Sequence, residues 1–184
     1  MNRFFLFHPV LQPLRMKRLF IISLTLLLCL AGYQGAIAQV EDYKVKAGWI
    51  YALFQYTKWK APGSSHSTLC TIGVDEVGSF LRQQQKEKSL PITIKEESSH
   101  GSLKACNIVY IGASEGEQIG DILQNLKDLP ILTVSTVKGF AEMGGMVEIK
   151  TTSDKVSLRI NASVVKNAQL LIDSDLLGIS EIVD

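Results

Sequence analysis

Apolar residues in this chain follow two alternating patterns. Over 41–59, Tyr43, Ala47, Ile50, Phe54 and Thr57 recur at helical spacing, and Tyr51, Leu53 and Trp59 widen the stripe. This predicts one helix over 41–59, ended by Ala61-Pro62-Gly63-Ser64-Ser65. Short apolar runs rich in β-branched residues then alternate with amphipathic stretches. Strands are expected over Thr68–Val74, Ile92–Lys95, Cys106–Ile111 and Ile131–Val134, and helices over Glu76–Lys88 and Glu115–Lys127. A glycine-punctuated segment, Lys138–Gly145, leads to two alternating strands, Met146–Lys150 and Lys155–Ile160. These read as a hairpin joined through Thr152-Ser153-Asp154. Asn161 is placed to cap a helix over 162–168. Together the pattern predicts a three-layer α/β domain: a mostly parallel, flavodoxin-like sheet with a C-terminal antiparallel hairpin.

The N-terminus stands apart. Met16-Lys17-Arg18, the apolar run Leu19–Ala31 and the small-residue stretch Ala36-Ile37-Ala38 have the three parts of an export signal. Met1 and Met16 are both plausible starts. Cleavage between Ala38 and Gln39 divides the chain into a signal peptide, 1–38, and a single exported domain, 39–184. The apolar run is shorter than the ~20 residues a membrane span needs, so no membrane insertion is expected after cleavage.

Removing the signal changes the charge balance. The whole chain carries 19 basic and 18 acidic residues, net +1. Residues 1–38 hold four of the basic ones and no acidic one, which leaves 15 against 18, or −3, for 39–184. A mildly acidic domain has no electrostatic footprint for nucleic acid. Two of the three cysteines remain, Cys70 and Cys106. An even count in an exported chain favours a disulfide, with two inert buried thiols as the competing reading. In a flavodoxin-like order the strands carrying them are neighbours.

Candidate chemistry is sparse. His66 and His100 fall in serine-rich loops with no metal-ligand spacing around them, and no metal site is expected. Glu96-Glu97 reads as a solvated strand edge. No phosphate loop, dinucleotide fingerprint or serine-nucleophile elbow is present, so neither a cofactor nor catalytic residues are assigned. Ligands of such sheets sit beyond the strand C-termini, which makes Asp75, Ser114 and Ser135 the candidate pocket residues, with turn and cap chemistry as the plainer reading. Gly139, Phe140, Gly144 and Gly145 mark a buried crossover or a partner site.

The chain resembles the YfiR-like periplasmic proteins from about Tyr43 to Leu177. The likeness rests on Lys44-x-x-Ala47-x-x-Ile50-Tyr51-x-x-Phe54, then Cys70-x-Ile72-Gly73-Val74-Asp75-x-x-Gly78, then Cys106–Ile111 and Ile131–Ser135. It continues with Gly139-Phe140-Ala141-x-x-Gly144-Gly145-Met146, Arg159-Ile160-Asn161 and Ser174-x-Leu176-Leu177. The resemblance implies a non-enzymatic, homodimeric periplasmic regulator. Such a protein binds the periplasmic sensor domain of an inner-membrane diguanylate cyclase, or of a sensor kinase, and represses its output. Release from a cyclase raises cyclic di-GMP and favours biofilm growth. Cys70 and Cys106 match the cysteine positions of the family. The best-known relative has a second, C-terminal disulfide that this chain lacks, since no cysteine follows Cys106. The same residues leave a second class open, a periplasmic small-ligand binding protein.

Overall fold

A computed structural model of the chain describes residues 34–59, 67–87, 91–98, 102–152 and 155–184, with side chains from Asp42 onward. Most of the proposed signal, His66, His100 and the 153–154 turn lie outside the described residues. Ala38 and Gln39 fall within the backbone of the first helix. The chain divides into two units, Met1–Val40 and Glu41–Asp184. Both sheets belong to the second.

The elements run α1 (Gln34–Tyr56), β1 (Thr57–Trp59), β2 (Ser67–Ile72), α2 (Glu76–Glu87), β3 (Ile92–Glu97) and β4 (Ile108–Ile111). Then follow α3 (Ile119–Leu126), β5 (Leu132–Ser135), β6 (Val147–Thr152), β7 (Lys155–Asn161), α4 (Ala162–Asn167), β8 (Leu170–Ile172), α5 (Ser174–Gly178) and β9 (Glu181–Val183). Seven strands form the main sheet in the order β3-β2-β4-β5-β6-β7-β9. The first five are mutually parallel, β6 and β7 are antiparallel, and β9 runs parallel to β7. Taken alone, the five parallel strands have the flavodoxin-like order, with the topological switch between β2 and β4.

The sheet separates two cores because successive strand residues face opposite sides. Leu69, Ile108, Tyr110, Leu132, Val134, Val147 and Ile149 pack on one face with Ala47, Ile50 and Leu53 of α1 and Val77 and Leu81 of α2. Cys70, Ile72, Val109 and Ile111 pack on the other with Ile119, Ile122 and Leu126 of α3 and with Phe140. The near-continuous burial of β2, β4 and β5 is what a strand covered on both faces requires.

Besides shifts of one or two residues at other strand ends, three boundaries differ from the sequence reading. The predicted helix 41–59 stops at Tyr56, and Thr57–Trp59 becomes a strand paired antiparallel with β8, Thr57 opposite Ile172 and Trp59 opposite Leu170. Thr57 and Trp59 fit the helical stripe, but a distant pairing partner overrides that local preference. Cys106 precedes its strand rather than lying in it. A single-turn helix over Ser102–Ala105 closes with Cys106 N–H donating to the Leu103 carbonyl, and Asn107 N–H then donates to Thr68. The expected helix from Glu115 begins at Ile119, after a short 3₁₀ turn over Ala113–Glu115. Strands β8 and β9 and the short helix α5 are not expected from the sequence pattern.

Candidate functional site

At the switch point, the ends of β2 and β4 are drawn tightly together. The Gly112 N–H donates to the Ile72 carbonyl at 2.8 Å. Gly73 has φ +79°, and a Cβ there would lie 2.6 Å from Glu115 Cγ, so this turn requires glycine. Asp75 and Ser114 meet across it. Asp75 Oδ1 accepts the Gly78 N–H at 2.7 Å in the first turn of α2, while Oδ2 accepts the Tyr110 hydroxyl at 2.5 Å and the Ala113 N–H at 3.2 Å. Ser114 Oγ accepts the Val74 N–H at 2.8 Å. One strand over, the buried Ser135 hydroxyl donates to the Ile111 carbonyl at 2.8 Å and accepts the Val137 N–H at 3.1 Å. All three candidate pocket residues therefore hold internal hydrogen bonds. Burial, then the Asp75 charge, pushes the Tyr110 phenol well above its ordinary range.

Below the switch point, Cys70 and Cys106 form a disulfide with Cα atoms 5.9 Å apart. It ties β2 to the segment entering β4, and both cysteines are buried.

The Lys138–Gly145 segment replaces a crossover helix between β5 and β6. Phe140 is fully buried under it, in the α3-side core. Its ring lies where any Gly145 side chain would have to go. Gly139 and Gly144 have φ +81° and +95°, and the Gly145 N–H closes the turn on the Phe140 carbonyl at 2.9 Å. Asn161 fastens this turn to α4: Oδ1 accepts the Val164 N–H at 3.0 Å and Nδ2 donates to the Ala141 carbonyl at 3.0 Å. The five motif residues thus form one contiguous unit around a backbone turn.

Beside that unit lies a charge cluster that the sequence reading passed over. Glu148, buried on β6, accepts the Ala141 N–H and sits opposite Arg159 on β7. Arg159 reaches Glu142 and, at 2.7 Å, Glu181 of β9, which also pairs with Lys150. Hydrogen bonds from Lys150 and then Arg159 hold the Glu181 carboxyl below its usual range, and the bond to Glu181 raises the Arg159 guanidinium. The signal was available in the hairpin, where Glu148 and Lys150 alternate on one strand and Arg159 on the other. Cross-strand charges share a face only once the register is known.

The charges border an open cleft of about 440 Å³ at the C-terminal end of β5, lined by Lys46 of α1, by Thr136 and Lys138, and by Glu148–Thr152 and Arg159. A smaller groove of about 240 Å³ lies between α3 and α4, where the exposed Met143 borders Leu123 and Val164. Among the described residues no cluster of His, Cys, Asp and Glu could hold a metal ion, and no helix is long and apolar enough to cross a membrane.

A parallel, flavodoxin-ordered sheet extended by a hairpin, pinned by one disulfide and crossed by a Gly-Phe-Ala turn, defines a distinct class of α/β domain. The profile of the YfiR/HmsC-like family matches residues 43–181, and the chain belongs to that family. No curated protein matches it. Among solved structures it is similar to a conserved domain protein of Vibrio cholerae, with TM-score 0.60 and 8% identity over 77% of this chain and 60% of that one. The ABC domain from Streptococcus pneumoniae in complex with L-Trp gives TM-score 0.48 and 8% identity, over 64% of this chain and 55% of that one. The chain thus spans less than two thirds of either structure, and at this identity the Vibrio likeness concerns the fold alone.

Proposed function

We propose that this protein is an exported periplasmic regulator, cleaved between Ala38 and Gln39. It works as a homodimer, without enzymatic activity or cofactor. It binds the periplasmic sensor domain of an inner-membrane diguanylate cyclase or sensor kinase and represses its output. The observation that carries this reading is the family match over nearly all of 39–184. The disulfide supports an oxidising compartment, where such bonds persist. The internal hydrogen bonds of Asp75, Ser114 and Ser135 favour this reading over small-ligand binding at the strand ends, because a ligand there would have to displace them.

The test is affinity capture with tagged mature protein, 39–184, from detergent-solubilised inner membranes, followed by mass spectrometry. Enrichment of one membrane protein with a periplasmic sensor and a cyclase or kinase output is expected. Its signalling output should also rise when the regulator is deleted. Capture of no membrane protein under oxidising or reducing conditions would overturn the reading.

A further inference from the structure

Strand β6 outruns its neighbour. Its parallel pairing with β5 has two rungs, Val134 with Val147 and Ser135 with Glu148, yet β6 continues to Thr152 paired with β7 alone. The direction of the spare backbone groups follows from the register. The Asn161 N–H donates to the Met146 carbonyl at 2.9 Å, bracketing Val147–Ile160 as a non-hydrogen-bonded pair. By alternation, Ile149–Leu158 and Thr151–Val156 are also non-hydrogen-bonded pairs. Their β6 members turn N–H and C=O away from β7, toward the side where β5 has ended. The Ile149 carbonyl and both backbone groups of Thr151 therefore face the 440 Å³ cleft with no strand beside them among the described residues. An unpaired strand edge is a template for another strand. Four cations line this cleft with Glu148, and three are already paired: Lys46 with Asp42, Lys150 with Glu181, and Arg159 with Glu142 and Glu181. Lys138 is exposed and has no ion-pair partner among the described residues.

We propose that the Ile149–Thr152 edge is a docking site for an extended, acidic segment of the partner protein, taken up as an added strand. Main-chain hydrogen bonds to Ile149 and Thr151 supply the register, and the exposed Lys138 selects a carboxylate in the segment. This deepens the regulator reading and rests on it.

The test uses mature protein and the purified periplasmic domain of the captured membrane protein. Thr151→Pro deletes the one N–H that faces the cleft and spares every N–H that faces β7. Thr151→Val keeps that N–H and removes only the hydroxyl, which donates to Asp42. The proline variant should bind at least tenfold more weakly and the valine variant within about twofold of wild type. Lys138→Glu should also weaken binding and reduce its salt dependence. In the complex, the Thr151 amide should gain protection from hydrogen exchange. Wild-type affinity in a folded Thr151→Pro protein would overturn the docking site while leaving the regulator reading intact. Should that variant not fold, an unprotected Thr151 amide in the wild-type complex would overturn it instead. Failure of wild type to capture any membrane protein would overturn both.

Discussion

At the scale of single residues, Phe140 and Gly145 depend on each other. The ring occupies the space of the missing side chain, so the glycine is required by contact. Phe140→Ala should cost about 3–5 kcal/mol in urea unfolding, as for other large core truncations. An equally stable variant that lost partner binding would make Phe140 an interface residue. Gly145→Ala should cost about 1–3 kcal/mol by overpacking, and Phe140→Leu in the same chain should recover part of that loss. Tyr110 gives a test by pH. Its folded-state pKa lies above the ordinary value of about 10, so the proton it keeps in the fold is lost earlier on unfolding. Its contribution is fully present below pH ~10 and declines as pH rises through the folded value, by up to about 1.4 kcal/mol per pH unit. Denaturant midpoints measured between pH 9 and 11 should fall more steeply for wild type than for Tyr110→Phe. The residue-level reading found Gly145 and Phe140 from an unusual local pattern. It missed Glu148 and named Arg159 only within a family block, because each is an ordinary charge on an alternating strand until the hairpin register places them together.

At the scale of elements, legibility followed locality. The buried strands β2, β4 and β5 were readable because burial on both faces demands an unbroken apolar run. Helix α2 was readable from its stripe and from Asp75, which holds its first turn. The three strands that escaped, β1, β8 and β9, are three residues each and owe their extended state to partners distant in sequence. No local window contains that information. The disulfide is an element-scale brace, joining β2 to the turn that launches β4 across a sequence separation of 36. Cys70→Ser or Cys106→Ser should lower unfolding free energy by about 4 kcal/mol on the loop-entropy estimate. Urea titrations of oxidised wild type and variant, with a thiol count on each, check this. Equal free-thiol counts in native and reduced wild type would remove the bond and the prediction together.

At the scale of the whole molecule, the composition and the order of runs were enough to anticipate a doubly wound sheet with a hairpin at its C-terminal side. They could not anticipate that β6 would overhang β5, since a strand's length is visible in sequence but its stagger against a neighbour is not. The pairing of β1 with β8 has a consequence in time. Thr57 must find Ile172, 115 positions along the chain, before the C-terminal end of α1 acquires its strand. Such a rung has a high closure entropy and forms late. While a ribosome or a translocation pore still holds residues 170–172, the domain cannot complete itself. In the export we propose, this last latch closes only after residues 170–172 have cleared the pore.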